Sequence, residues 1–365
     1  MMKRTVILVG ARPNLMKAAA VLEAMHQDKR FDTRLVHTGQ HYDDEMSKIF
    51  FQELNLPQPD IYLGVGAFSP LQQIGRTLIA LEEFALEWNP DLIVVVGDVN
   101  STLAGALTAN KLSIPLAHVE AGLRSFDRSM PEELNRILTD QLADYLFTPS
   151  RDADQNLLRE GISPERIYFV GNVMVDTLLR FRLAAQQREP WREYGFQPKA
   201  YAVLTLHRPS NVDETVSLEN MVELLAGLCE RLPVIFPVHP RTRNRLAETG
   251  LIKRLERINR LVISPPLGYL AFIGLMSEAR VVLTDSGGIQ EETTVLGVPC
   301  LTLRENTERP VTISAGTNRL VGTNPAKILS ALDEVLSAAG TQQPAMPELW
   351  DGKAAQRIVA ILATN

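Results

Sequence analysis

Cysteine is scarce in this chain: Cys229 and Cys300 are the only two in 365 residues. Two distant thiols build neither a disulfide framework nor a cysteine metal site, and they fit the reducing cytoplasm as the expected compartment. Long apolar runs are missing as well. The first, Val6-Ile7-Leu8-Val9, stops at Gly10 and does not read as a signal peptide. Nothing approaches the roughly 18 uninterrupted apolar residues of a membrane span, so no membrane partner is expected. Positive charge is not in excess, since the net charge is -6 with acidic and basic residues mixed along the chain. Nucleic acid needs a basic face for its phosphates and is therefore a poor partner. Any anionic ligand must be held locally, by a few Arg or Lys side chains and by backbone amides. No G-x-x-x-x-G-K-[ST] loop occurs, and no pair of His or Cys residues stands at metal-ligand spacing on a helix, so neither a metal nor a cofactor is expected.

What the chain does contain is strand–helix alternation. At about 100–200 residues per domain, its length suggests two domains. Strand candidates in the first half are Thr5–Val9, Thr33–His37, Leu92–Val96, Leu116–Val119, Tyr145–Thr148 and Ile167–Val170. A second series comprises Ala202–Leu206, Val234–Val238, Leu261–Ile263, Val281–Thr284 and Cys300–Leu303. Several are apolar on both faces, the mark of parallel strands buried between helix layers. Helical patterns lie between them, for example Leu71–Trp88, Glu132–Tyr145 and Leu218–Arg231. This alternation predicts α/β structure with two Rossmann-like doubly wound domains. We place an N-terminal domain at residues 1–172, a C-terminal domain at 173–351, and a terminal helix at 352–365.

In an open parallel sheet, ligands bind beyond the carboxyl ends of the strands. Here those ends carry Gly10-Ala11-Arg12-Pro13-Asn14 with Lys17 one turn later, His37 to His41, Gly97-Asp98, His118 to Arg124, His207-Arg208, His239-Pro240-Arg241 and Asp285-Ser286-Gly287-Gly288. Five of the six histidines fall at or just past strand ends. One such motif alone is ordinary turn chemistry. The repetition over seven strand ends points instead to a cleft lined from two facing domains.

The most specific signal runs from Asp285 to Glu292. Gly287 and Gly288 open a helix directly after a strand, so an anion can approach the free amides. Ser286 can cap that helix and offer a hydroxyl, and Glu292 follows one turn on, where a carboxylate can accept ribose hydroxyls. This is not the G-x-G-x-x-G dinucleotide fingerprint, which makes NAD as poor a candidate as ATP. Arg12, Lys17, Arg208 and Arg309 are cations able to neutralise a diphosphate. Asp98, Glu120 and Glu132 are the acid–base candidates. For Glu132 the ordinary alternative is an i,i+4 pair with Arg136.

Taken together, these residues resemble the bacterial non-hydrolysing UDP-N-acetylglucosamine 2-epimerases over nearly the whole chain. The matching stretches are Gly10-Ala11-Arg12-Pro13, Gly97-Asp98, His118 to Arg124, Pro131 to Arg136, His207-Arg208, Pro237-Val238-His239, Thr284 to Glu292 and Thr307-Glu308-Arg309-Pro310. The resemblance implies the GT-B architecture, two Rossmann-like domains across a cleft with the C-terminal helix returning to the first. It implies a cytoplasmic homodimer and elimination followed by re-addition. A base removes the C2 proton while UDP leaves C1, 2-acetamidoglucal stays bound, and UDP adds back after protonation on the other face. It implies Asp98, Glu120, Glu132 and His207 at the reacting sugar, with the assignment of acid and base open. Arg12, Ser286, Gly287 and Gly288 would hold the diphosphate and Glu292 the ribose, with Lys17, Arg136, Arg208, His239 and Arg309 completing the site.

The chain also departs from the family pattern. Asn14 stands where many members have Glu, Val99-Asn100-Ser101-Thr102 where many have a Thr run, and Pro209-Ser210 where an Arg-Glu pair is common. Gln40, His41 and Arg208 fit a second, activating UDP-sugar site. The Arg-Gln pair expected near residues 67–70 is instead Ala67-Phe68-Ser69-Pro70, so weak or absent activation is expected. Three rivals stay open: a GT-B glycosyltransferase, a hydrolysing epimerase releasing N-acetylmannosamine and UDP, and a UDP-sugar-binding regulator without catalysis. A 3-acetamido or uronic acid sugar fits the same motifs.

Overall fold

The structure is a computed structural model that describes residues 2–10, 12–39, 53, 57–212, 214–338 and 345–364, without the side chains of residues 12, 13, 209, 210 and 241. Gln40, His41 and the Arg12 side chain therefore lie outside the described residues. The chain divides into two compact units. Unit 1 comprises Met1–Arg180 with Glu348–Asn365, and unit 2 comprises Phe181–Pro347.

Among the described residues, unit 1 is built on seven parallel strands: β1 (Lys3–Val9), β2 (Phe31–His37), β3 (Ile61–Tyr62), β4 (Leu92–Val96), β5 (Leu116–Val119), β6 (Tyr145–Thr148) and β7 (Ile167–Phe169). They are ordered β3-β2-β1-β4-β5-β6-β7. The two-residue period of a strand divides its apolar residues between two cores. Ile7, Val9, Val94 and Val96 pack with Leu15 and Leu22 of helix Arg12–Gln27 and with Ile358 and Leu362 of the terminal helix Ala354–Thr364. Val6, Leu8, Ile93 and Val95 pack on the other face with Leu81 and Ala106. Val94 pairs with Ile7 on one side and Ala117 on the other, so β4 is buried on both faces and both edges. The terminal helix is also held at its start, where the Asp176 carboxylate accepts the amides of Ala354 at 3.1 Å and Ala355 at 2.8 Å.

Unit 2 repeats the plan with six parallel strands among its described residues: β8 (Ala202–Thr205), β9 (Val234–Pro237), β10 (Leu261–Ser264), β11 (Val281–Thr284), β12 (Cys300–Thr302) and β13 (Asn318–Leu320). Their order is β10-β9-β8-β11-β12-β13. All eleven strands expected from the sequence are present within two residues at each end. Two more, β3 and β13, escaped the sequence reading because two or three residues at a sheet edge carry no periodicity. No helix among the described residues is long and apolar enough to cross a membrane.

Each sheet has one point where the strand order reverses. In unit 1 it lies between β1 and β4, and in unit 2 between β8 and β11. Crevices form beyond the carboxyl ends at such points, because successive crossover helices go to opposite faces. Gly97-Asp98 follows β4, while His207 and Asp285-Ser286-Gly287 follow β8 and β11.

Candidate functional site

In unit 1 the chain leaving β4 must turn sharply, and Gly97 does so at φ +69°. Asp98 follows, partly exposed, and is tied at two levels. Its carboxylate oxygen Oδ2 accepts Arg136 Nη2 at 2.6 Å and Nε at 3.0 Å. Its own carbonyl accepts Asn135 Nδ2 at 2.9 Å. Both partners come from helix Pro131–Leu142, whose Pro131 fits the first helical position because it lacks an amide to satisfy. Arg136 also donates from Nη1 to Glu133 Oε2 at 2.8 Å. The i,i+4 pair with Glu132 is therefore not what Arg136 makes. Glu132 is exposed in the first turn, and the buried carboxylate beside it, Glu133, takes the ion pair.

Glu133 was not legible as a site residue, since two adjacent Glu at a helix start look alike in sequence. Its carboxylate also accepts the amides of Ser125 and Phe126 at 2.9 Å each. It thereby closes the loop after β5 onto the helix.

Glu120 follows β5 in the left-handed conformation, φ +72°. A non-glycine residue held there stores strain of roughly 1–2 kcal/mol, which the surrounding bonds must outweigh. Its Oε2 lies 2.5 Å from Lys17 Nζ, with both side chains buried. Gly97 packs against this lysine, for a Cβ at residue 97 would stand 3.1 Å from Nζ. Asn14 Nδ2 bonds the carbonyl of Val96. Lys17 and Asn14 thus bind the reversal point of the sheet together.

In unit 2 the centre is Asp285, fully buried at the end of β11. Its Oδ1 lies 2.7 Å from His207 Nδ1, and its Oδ2 accepts the Arg208 amide at 2.9 Å and Asn211 Nδ2 at 3.0 Å. Burial alone would raise the Asp285 carboxyl, but the bonds from His207, Asn211 and the Arg208 amide outweigh it and hold the carboxyl below its ordinary value. An ionised Asp285 accepts the Nδ1 proton and leaves His207 Nε2 on a half-exposed ring as the working nitrogen. Asp285 has no evident part in the sequence, because the histidine it holds stands 78 residues away.

Helix Gly287–Leu296 starts directly after this aspartate. Ser286 occupies the N-cap in extended backbone without a capping bond, so its hydroxyl does not serve the helix as the sequence suggested. Arg309 is buried and bound on two sides, Nε to Glu291 Oε1 at 2.8 Å and Nη1 to Glu308 Oε1 at 2.5 Å. Glu308 also takes Arg304 at 2.8 Å and stands 3.6 Å from Arg208 Nη2. Arg208 and Arg309, single cations in the sequence, are linked through one carboxylate. Glu292 is buried beside Tyr269, whose hydroxyl is pushed well above its ordinary value by burial and then by the charge of Glu292 and the bond to it. His239 is exposed just after β9. Among the described residues, no group of three or more His, Cys, Asp or Glu could hold a metal ion.

The chain is similar to known proteins over nearly its whole length. A family model described as UDP-N-acetylglucosamine 2-epimerase matches residues 23–363. The UDP-N-acetylglucosamine 2-epimerase of Methanocaldococcus jannaschii is 45% identical over 361 residues, 98% of each chain. The UDP-2,3-diacetamido-2,3-dideoxy-D-glucuronate 2-epimerase of Pseudomonas aeruginosa is 42% identical over 338 residues, 92% of this chain and 90% of that one. Among solved structures, the Methanocaldococcus jannaschii UDP-GlcNAc 2-epimerase in complex with UDP-GlcNAc and UDP aligns over 100% of both chains, with a TM-score of 0.91 and 44% identity. With two parallel Rossmann-like sheets and this likeness, the fold is of the GT-B class expected from the sequence.

Proposed function

We infer the function of this chain from one premise: it belongs to the UDP-N-acetylglucosamine 2-epimerase family. It is an epimerase of UDP-N-acetylglucosamine, inverting C2 to give UDP-N-acetylmannosamine. The observation that carries this reading is the pair of acid–base candidates at neighbouring strand ends, Asp98 tied to Arg136 and Glu120 tied to Lys17. Inversion at C2 needs a base on one face of the sugar and an acid on the other, each held in place.

In the proposed course, Asp98, Glu120 and Glu132 divide the proton transfers at C2 while UDP departs from C1. The bound 2-acetamidoglucal is protonated on the opposite face and UDP adds back. His207, oriented by Asp285, serves the leaving phosphate or the sugar, with Arg208 beside it. Arg12, Ser286 and the amides at Gly287 and Gly288 hold the diphosphate, because a helix start favours negative charge. Glu292 holds the ribose, and Lys17, Arg136, His239 and Arg309 complete the site. The enzyme works as a cytoplasmic homodimer that needs no cofactor.

The test is incubation with UDP-N-acetylglucosamine in D2O without any acceptor. The expected result is the manno epimer with deuterium at C2 and no free UDP in step with turnover. Accumulating UDP and N-acetylmannosamine would make the enzyme a hydrolysing one, and no conversion would overturn the reading. The Pseudomonas aeruginosa relative acts on a 2,3-diacetamido glucuronate by its description, so that nucleotide sugar is the second substrate to assay.

A further inference from the structure

A second buried network lies behind the two carboxylates of unit 1. It centres on Asp140, on the same helix as Arg136 and completely buried. Asp140 Oδ1 lies 2.6 Å from His118 Nδ1. Asp140 Oδ2 accepts Arg124 Nη2 at 2.7 Å and the Gly122 amide at 3.1 Å. Arg124 is shared with Glu160, which accepts its Nε and Nη2 at 2.7 Å each. His118, also completely buried, uses its other nitrogen, Nε2, on the carbonyl of Gly97 at 2.8 Å.

A carbonyl oxygen only accepts, so Nε2 carries a proton. Burial would raise the Asp140 carboxyl, but His118 and Arg124 outweigh it and hold the carboxyl below its ordinary value. His118 thus links the Asp140 carboxylate to the Gly97 carbonyl through its two ring nitrogens.

The two ends of this network are the backbones that carry the acid–base candidates. The Gly97 carbonyl belongs to the peptide entering Asp98. The Gly122 amide closes the turn that Glu120 opens, with φ +72° at Glu120 and +80° at Gly122. That turn has no room to drift, because a Cβ at Gly122 would stand 2.5 Å from the carbonyl oxygen of Ala153. One buried carboxylate thus grips the chain at both sites, directly at Gly122 and through His118 at Gly97.

We propose that Asp140 and His118 are positioning residues that hold Asp98 and Glu120 in register for proton transfer at C2. The proposal rests on the epimerase reading. Its physical basis is that acid–base groups lose rate steeply when displaced: a 1 Å misplacement can cost about a hundredfold. Partners behind the reacting groups typically matter by about tenfold to a hundredfold.

Two substitutions separate positioning from bulk support. The amide nitrogen of Gln falls near the place of ring Nε2, so His118→Gln keeps the donor to Gly97. Asn falls near Nδ1, so His118→Asn keeps the Asp140 partner and loses Gly97. The expected result is a kcat lowered about tenfold to a hundredfold in His118→Asn, with His118→Gln within about threefold of wild type. KM and UDP affinity should stay within about twofold in both, and their melting temperatures should be alike. Equal loss of kcat in the two variants, or an unchanged His118→Asn, overturns the proposal. Nitrogen-resolved NMR of the wild-type protein gives a readout independent of turnover and of either variant folding. A proton on His118 Nε2 is expected, and a ring without a proton on Nε2 would overturn the relay. A wild-type protein that binds UDP and shows the Nε2 proton but does not epimerise would instead sink the epimerase reading.

Discussion

Lys17 Nζ lies 2.5 Å from Glu120 Oε2 inside unit 1, and both side chains are buried. As a lone cation near a strand end, Lys17 reads in sequence as a neutraliser of phosphate. In the fold its charge answers Glu120, and removing one partner of a buried pair leaves the other uncompensated. Lys17→Met is expected to lower the unfolding free energy of unit 1 by about 3–5 kcal/mol. The same change should lower kcat while leaving UDP affinity within about twofold. Urea unfolding and calorimetric titration with UDP check this. A large loss of UDP affinity at unchanged stability would return Lys17 to the diphosphate.

Gly287 is required by its neighbours and not only by a ligand. A Cβ there would overlap the Arg309 guanidinium and lie 2.7 Å from Glu308 Oε1. Arg309 is bonded on two sides and has no free direction in which to yield. Gly287→Ala is therefore expected to cost about 1–3 kcal/mol through overpacking. It should also weaken UDP by at least about tenfold, since the helix amides lose their open approach. Calorimetry with UDP, beside a far-UV spectrum that stays native, measures both. Wild-type affinity would show that the diphosphate does not use this helix start.

Much of this was written in the sequence, and what was not has a physical reason. β4 announced itself as Leu-Ile-Val-Val-Val because a strand buried on both faces can carry no polar residue. Asp98, Glu120 and His207 stood out because they follow strands. Asp285, Asp140 and Glu133 did not, although they hold those residues in place. Their partners are 78, 22 and 3 residues away, and only the first two distances are bridged by strand crossovers that a linear reading does not measure. The Glu133–Arg136 pair was a choice between two adjacent glutamates, decided by which one the helix turns inward. Ser286 was expected to cap because serine favours that position. The fold instead leaves its hydroxyl off the helix.

His37 gives the protein a pH dependence whose direction can be worked out. The ring is buried, stacks on Tyr62 at 4.8 Å between centroids, and accepts the Gly39 amide at Nδ1 over 2.9 Å. Burial pushes its pKa down to about 4. Above the unfolded value of about 6.5 the ring is neutral in both states. Below it the unfolded chain takes a proton that the native ring refuses, so stability falls with pH, by up to about 3 kcal/mol by pH 4. Asp140 and Asp285, whose carboxyls are lowered, add stability that is present above about pH 4 and lost below it, so the windows separate. His37→Asn keeps an acceptor near Nδ1 and removes the titration. Its urea midpoint should vary less than that of wild type between about pH 6.5 and 4. Equal slopes would show that His37 titrates normally.

The stretch Ala67-Phe68-Ser69-Pro70 bears on how the rate responds to substrate. An activating UDP-sugar site would need cationic and side-chain amide donors there, and none of those four side chains is one. The nearby cation, Arg76, lies with its guanidinium 3.7 Å from the centroid of the Phe68 ring, a contact worth about 0.5–1 kcal/mol at an exposed site. Recruiting Arg76 to a phosphate would first have to break that contact, while Phe68 presents an apolar face where a donor is wanted. The rate is therefore expected to rise hyperbolically with UDP-N-acetylglucosamine, with a Hill coefficient of about 1. The reverse reaction from the manno epimer should start without added UDP-N-acetylglucosamine. Phe68→Ala frees Arg76 and tests the argument from the other side: a sigmoidal curve in the variant alone would assign the block to this stacking pair. A sigmoidal curve in the wild type would mean that the second site draws its donors from elsewhere in the chain.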